Sequence, residues 1–261
     1  MEKKTALITG ASSGIGKEFA QIHAEQGGNL VIVARSADKL KELKDELEKV
    51  HGVLVHVIAK DLSERNAAKE IHGEVKSKGI EIDYLINNAG FGGVGRFHER
   101  NLQEDINMIN LNISALTSLT HYFLQEFVAR DEGKILNVSS TASLLPGPLQ
   151  TVYYASKAYV TSFSNALAEE LHDTNVTVSN LMPGATETEF GKVSGMDKTE
   201  LFKNTANARV VAEGGYNAML KGKLNVISGL KFSQRIMMAM VPLTPKKMIL
   251  KQIRKMQEVK N

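Results

Sequence analysis

Tyr153 and Lys157 stand four residues apart at the end of the run Lys134–Lys157, KILNVSSTASLLPGPLQTVYYASK. Four residues is about one helical turn, so on a helix the phenol and the ammonium share a face. An ammonium beside a phenol favours the phenolate and lowers its pKa from about 10 toward working pH. A tyrosine tuned in that way can give or take a proton, which is general acid–base work. Ser139 and Ser140 end the apolar run Ile135–Val138 upstream, and either hydroxyl could meet a substrate oxygen. Tyr154 is three residues from Lys157, so spacing alone leaves it a rival to Tyr153.

A second chemical signal lies near the start of the chain. The strand-like run Thr5–Thr9 leads directly into Gly10-Ala11-Ser12-Ser13-Gly14-Ile15-Gly16 and then into a helical pattern. Glycines at 10, 14 and 16 permit a tight turn and bring backbone N–H groups to an anion at a helix N-terminus. The spacing is GxxxGxG, neither GxGxxG nor the Gly-Lys-Ser/Thr of a P-loop. Its place after the first strand favours a dinucleotide over a purely structural turn. The next strand ends Val33-Ala34-Arg35, with no acid before Asp38. An Asp or Glu there suits the free ribose 2′-hydroxyl of NAD, whereas an Arg suits the 2′-phosphate of NADP. Arg35, helped by Ser36, therefore points to NADP(H), with NAD(H) as the alternative.

The elements that must position these groups can be read from periodicity. Strands are expected at 5–9, 30–34, 53–59, 84–87, 134–139, 176–181 and 224–228. Helices are expected to follow Ile15, over Ala37–Val50, from about Glu64 to Lys78, as one long helix from about Leu102 to Ala129, and after Tyr153. Strands alternating with helices of ten or more residues predict an α/β protein with a parallel sheet covered on both faces.

Thr9-Gly10-xxx-Gly14-x-Gly16, then Asn87-Asn88-Ala89-Gly90, then Ser140 with Tyr153 and Lys157, resemble the short-chain dehydrogenase/reductase family in its single-domain form. The resemblance covers nearly the whole chain up to about Gly229. It implies a Rossmann-type doubly wound sheet of about seven mainly parallel strands in a single domain over residues 1–261. A substrate lid at about 187–207 and a C-terminal extension at about 230–261 would complete it. It also implies roles. Ser140, thirteen residues before Tyr153, resembles the catalytic serine; Tyr153 matches the acid–base tyrosine and Lys157 the lysine that tunes it and binds the nicotinamide ribose. Asn112 matches the helix asparagine that holds a proton-relay water. Gly10, Ser12, Ser13, Gly14, Ile15 and Gly16 would cradle the cofactor; Asp61 and Leu62 would contact adenine, with Asn88, Ala89 and Gly90 beside it. Pro183, Gly184, Thr186 and Thr188 would meet the carboxamide end.

The activity so implied is NADPH-dependent reduction of an apolar ketone or aldehyde, reversible as an alcohol dehydrogenase. An NADP-dependent dehydrogenase of one hydroxy amino acid, steroid or acyl chain is the alternative enzyme. A cofactor-binding sensor without turnover is the alternative from another class, and the complete Ser140, Tyr153 and Lys157 set argues against it. The substrate is expected to meet the loops Phe91–Phe97 and Leu144–Leu149 and the lid residues Phe190, Val193, Met196, Leu201 and Phe202.

Composition narrows the rest. The 261 residues include no Cys, which removes thiol nucleophiles and disulfides. The seven His lack paired ligand spacing, so no metal is expected. A net charge of +3 is too small to imply a nucleic-acid partner. Lys3 and Lys4 lead straight into a strand, and a cytoplasmic location is expected. The stretch Lys231–Asn261 carries eight basic residues and one acidic one. There Phe232–Val241 is apolar and Met-rich, and Lys246–Lys260 reads as a basic amphipathic helix with Met248, Ile249, Ile253 and Met256 on one face. Core or subunit contact is its expected use, with contact to a membrane surface as the alternative. A homodimer or homotetramer follows from the resemblance.

Overall fold

A computed structural model describes residues 3–230, Gln234, Ile236, Met238 and 244–258. Most of the Phe232–Val241 stretch, and the side chain of Leu201, lie outside the described residues.

Seven strands form one parallel sheet: β1 (Thr5–Thr9), β2 (Asn29–Ala34), β3 (Val55–Ala59), β4 (Tyr84–Asn87), β5 (Gly133–Val138), β6 (Val176–Pro183) and β7 (Asn225–Ser228). Their order is β3-β2-β1-β4-β5-β6-β7, and every pairing is parallel. Among the described residues, the α-helices whose full spans are described are α1 (Gly14–Glu25), α2 (Ala37–His51), α3 (Ala67–Ser77), α4 (Leu102–Ile109), α5 (Leu116–Ala129), α6 (Thr151–Glu170), α7 (Glu189–Ser194), α8 (Ala208–Leu220) and α9 (Lys246–Gln257).

Successive strand residues point to opposite faces of a sheet, and each face here has its own core. Ala6, Ile8, Leu30 and Ile32 pack with Phe19, Leu40, Leu47 and Tyr216 from α1, α2 and α8. Leu7, Val31, Val33 and Leu85 pack with Ile71, Phe123, Phe127 and Leu167 from α3, α5 and α6. The order reverses between β1 and β4, which opens a crevice at the strand C-terminal ends. All the glycine, serine and asparagine motifs stand at those ends.

Several expected boundaries shift. Strand three begins at Val55 rather than Val53, and strand six continues to Pro183. The third helix starts at Ala67, because Asp61 first turns the chain by accepting from the backbone and hydroxyl of Ser63 at 2.9 and 2.7 Å. The expected long helix is interrupted: Asn110–Ala115 form a π-helical turn between α4 and α5. Asn112 sits in that turn and reaches out of it. Its Oδ1 accepts from Phe91 N at 3.1 Å, and its Nδ2 donates to Phe91 O and Ser156 Oγ at 3.0 Å each. A π turn widens the ladder where a side chain is held by a neighbouring element.

A buried polar chain fixes α6 and α5 on the strands below the crevice. Asn87 Nδ2 donates to Thr120 Oγ1 at 3.0 Å and to Asn137 Oδ1 at 2.9 Å, and Asn137 Nδ2 donates to Ser164 Oγ at 2.9 Å. Buried amides of this kind hold one register, because any slip strands them unbonded. No described helix is long and apolar enough to cross a membrane.

Candidate active site

One cavity of about 610 Å³ runs along the crevice, from Arg35 and Asp61 at one end, past the glycine turn, to Tyr153 and the C-terminal helix at the other. Every residue expected to bind cofactor lines it except Gly16, and so do Ser140, Tyr153 and Lys157.

The glycine turn is shaped by close approach. Gly10 has φ +69°, and a Cβ there would fall 2.8 Å from Asn88 Nδ2. A Cβ on Gly16 would lie 2.2 Å from the Gly10 carbonyl oxygen, which explains why Gly16 supports the turn without facing the cavity. Asn88 locks the turn by donating to Thr9 O at 2.9 Å, while the backbone N–H groups of Asn88 and Ala89 donate to Thr9 Oγ1 at 3.0 Å each. Thr9, which opens the glycine motif but has no expected role in it, is thus a hub of the site. Ser13 caps α1 by position but makes no side-chain capping bond, so the helix N-terminus opens into the cavity and can hold an anion.

At the far end of β2, the Arg35 side chain is 75% exposed, with its guanidinium 4.0 Å from Asp61. Burial alone would raise the Asp61 carboxyl, but the Ser63 bonds and Arg35 hold it below the usual range. Lys39, also missed in the sequence, lines the same end and pairs with Glu189 of α7 at 2.9 Å.

At the other end, the two serines separate cleanly. Ser139 Oγ donates to Lys157 O at 2.9 Å and meets Thr161 Oγ1 at 2.8 Å, so it fastens β5 to α6. Ser140 stands close enough to the Tyr153 hydroxyl to lower its pKa, and its Oγ accepts from Ala142 N at 3.1 Å. The rival tyrosine is engaged elsewhere: Tyr154 Oη accepts from Gln257 Nε2 at 2.6 Å. Of the two tyrosines, Tyr153 is thus the one beside Ser140. Lys157 Nζ lies 5.9 Å from the Tyr153 ring centroid and donates to Val138 O at 2.9 Å.

The expected effect on the tyrosine pKa is reversed in this structure. Tyr153 is 7% exposed and Lys157 5%. Burial pushes the phenol up to about 12, with Ser140 countering only part of the rise. The same burial brings the lysine down to about 8. A low-dielectric pocket penalises the charged form of both groups. At neutral pH the pair is therefore a protonated phenol beside an ammonium.

Asn112 also differs in detail. Both hydrogens of its amide are taken by Phe91 and Ser156. A relay water would have to use the remaining lone pair of Oδ1 or the backbone. Asn112 is buried at 1% exposure, and both its Oδ1 and Lys157 Nζ lie against Gly90.

Thr188 sits over the glycine turn, where a Cβ on Gly14 would meet its Cγ2 at 2.8 Å. Beyond it the lid is pinched at its base, since Thr186 bridges Ala206 and Glu187 N donates to Ala206 O at 2.9 Å. Phe190, Val193, Met196 and Phe202 line the cavity as expected. From the loop Phe91–Phe97 only Phe91 does. Gly93 is packed on the Arg100 guanidinium, which the buried carboxyl of Asp105 holds at 2.7–2.8 Å, so the rest of that loop turns away. From Leu144–Leu149 only Leu145 reaches the cavity. Leu149 itself has φ +69° and accepts from Gly95 N at 2.9 Å. The last wall is α9: Ile249, Gln252, Ile253 and Met256 line the cavity, while Met248, expected on the same face, is exposed.

The short chain dehydrogenase family model matches residues 4–199. A very-long-chain 3-oxoacyl-CoA reductase from Anas platyrhynchos is 35% identical over 195 residues, 72% of this chain and 62% of that protein. The 17-beta-hydroxysteroid dehydrogenase type 3 of Homo sapiens is 36% identical over 191 residues, 72% of this chain and 60% of that protein. The chain thus spans less than two thirds of the length of these curated relatives. Among solved structures, a short-chain dehydrogenase from Sphingobium yanoikuyae in complex with NADPH superposes with a TM-score of 0.82 at 30% identity, covering 89% of this chain and 91% of that one.

Proposed function

The chain belongs to the short-chain dehydrogenase family, and on that premise we propose that it reduces an apolar ketone or aldehyde to the alcohol with NADPH, reversibly. The observation that carries this reading is that Ser140, Tyr153 and Lys157 line one cavity, Lys157 beside the Tyr153 ring, where the glycine-turn groove meets an apolar pocket.

The groove fits NADP(H). Its glycine turn and open helix N-terminus suit the diphosphate, and Arg35 and Lys39 suit a 2′-phosphate. Asp61, Leu62 and Asn88 would flank the adenosine, and Pro183, Gly184, Thr186 and Thr188 would edge the nicotinamide. When bound, the cofactor supplies the hydride that adds to the carbonyl carbon. Ser140 donates a hydrogen bond to the carbonyl oxygen as negative charge grows there. Tyr153, protonated up to about pH 12, is still far more acidic than an alcohol and delivers its proton to that oxygen. Lys157 then faces the phenolate and stabilises it. Asn112 acts upstream as a positioning residue, holding Phe91 and α6 together.

A second reading is favoured by the relatives: a dehydrogenase of one hydroxyl compound, an acyl chain or a steroid. The test for both is absorbance at the nicotinamide band with a panel of aromatic, aliphatic, acyl and steroid carbonyls and the matching alcohols. NADPH oxidation by the native chain, absent in Tyr153→Phe, is expected. Tight NADPH binding with no turnover on any compound would replace the enzyme by a sensor. We also propose a homo-oligomer packed through α5 and α6, where Val128 and Tyr159 are exposed and Tyr159 stacks on Phe163 with centroids 5.8 Å apart. A monomer in sedimentation would remove that part.

A further inference from the structure

Arg35, Lys39 and Lys60 line the cofactor end of the cavity, and each is paired with an acid. The Arg35 guanidinium stands loosely, 4.0 Å from Asp61, whose carboxyl is turned toward Ser63. Lys60 pairs with Glu64 and Glu70, neither of which lines the cavity. Lys39 is different. Its Nζ donates to both carboxylate oxygens of Glu189, at 2.9 and 3.3 Å. Glu189 lines the cavity too, but it belongs to the lid, 150 positions along the chain, as the first residue of α7.

A carboxylate from the lid therefore holds a cation of the end where the 2′-phosphate is expected. Lys39 keeps the Glu189 carboxyl below its usual range, with a smaller contribution from Ser13 at the start of α1. The contact is easily broken. Both side chains are about half exposed, 48% for Lys39 and 59% for Glu189. Such a pair is worth little, since water screens it and two long side chains must be held still. A phosphate monoester carries about two negative charges and three strong acceptor oxygens, so it binds an ammonium more strongly than one carboxylate does. On release, Glu189 can turn to water, with Lys192 of its own helix nearby.

We propose that Glu189 is a cofactor-selectivity residue: it holds Lys39 in the free protein, and a 2′-phosphate must take Lys39 from it. The inference rests on the NADP(H)-binding reading of the groove. NADH lacks that phosphate and leaves the Lys39–Glu189 contact intact, so only NADPH unties α7 from α2. Glu189 thus opposes the preference that Arg35 and Lys39 create, and its charge sets how large that preference becomes. The next residue, Phe190, packs on the Tyr153 ring with centroids 5.4 Å apart, so the freed residue adjoins the wall of the substrate pocket.

The test is calorimetric titration of NADPH and NADH, at low salt, into the native chain, Glu189→Gln, Lys39→Gln and the double variant. Glutamine keeps most of the glutamate's shape and removes its charge. The stoichiometry of each titration counts the folded protein, so a partial loss of fold does not alter the Kd. Glu189→Gln is expected to tighten NADPH about threefold, within the range of an exposed ion pair, and to leave NADH unchanged. Lys39→Gln is expected to weaken NADPH about tenfold, and in that background the gain from Glu189→Gln should vanish. NADPH affinity that is unchanged or weaker in Glu189→Gln overturns the proposal while the cofactor reading stands. So does a gain shared equally by NADH, or one that survives without Lys39. Binding of neither nucleotide by any of the four proteins overturns the cofactor reading and the proposal with it.

Discussion

The two ends of the cavity are built in opposite ways. At the Arg35 end, the surface consists of strand termini and a glycine turn whose backbone approaches to within a side chain's width of its neighbours. Nearly everything there comes from consecutive residues after β1, β2, β3 and β4. At the Tyr154 end, the walls are side chains delivered by Leu145, the lid and α9, segments separated by up to about a hundred residues. Backbone geometry admits almost no substitution, whereas side-chain walls can be changed one at a time. The first end is suited to a constant ligand and the second to a variable one.

The largest expected effect falls where the ends meet. Tyr153→Phe removes the proton donor while keeping its ring, and kcat should fall by roughly 10²–10⁴, the usual worth of a positioned general acid. Calorimetric affinity for NADPH should change little. A loss confined to KM would assign the proton to another group. Next comes a direct contrast. Gly16→Ala places a Cβ 2.2 Å from Gly10 O, so affinity for NADPH should fall on the order of a hundredfold, about 3 kcal/mol. Ile253→Ala at the other end should shift the ketone KM by several-fold without changing the cofactor Kd. Equal effects on both ligands would erase the distinction between the ends. Arg35→Ser should lower the preference for NADPH over NADH by roughly tenfold to a hundredfold, the range for a hydrogen bond to a charged group. The ratio of the two cofactors' kcat/KM measures it.

The last effect is in pH, and near neutrality it vanishes. Lys157 is protonated below its lowered value of about 8 and loses its charge above it, whereas Tyr153 at about 12 stays protonated throughout the accessible range. Reduction should therefore be level near neutrality and decline above pH 8, about tenfold per unit, as kcat/KM for the free enzyme reports. Lys157→Met should be slow and lack that limb; a limb that persists belongs to another group.

Much of the first end was legible because its signals are local. A glycine turn after a strand, an arginine after the next and a serine thirteen residues before a tyrosine can all be counted along the chain. The alternation of strands with helices of ten or more residues likewise announced a sheet covered on both faces, now seen as one core around Ala6 and Ile8 and another around Leu7. The second end was not legible for the converse reason. Gln257 meets Tyr154 only after folding, and nothing near either residue signals the other. The π turn at Asn110–Ala115 was hidden in the same way, since bonds to Phe91 and Ser156 overrule a helical pattern that is locally unbroken. Periodicity also cannot weigh burial. Spacing put the ammonium near the phenol correctly, but the sign of the pKa shift depends on how little water reaches both.

The pinch between Thr186 and Ala206 has an evolutionary consequence. A loop closed at its base is a cassette: what lies between the two ends can lengthen, shorten or be exchanged while the ends stay in register. Each doubling of such a loop costs only about 0.6 kcal/mol in closure entropy. The sheet and the glycine turn feel almost none of it. New substrates can therefore be sampled by recombining residues 190–205, with Thr188 left over the glycine turn and Glu189 left paired to Lys39.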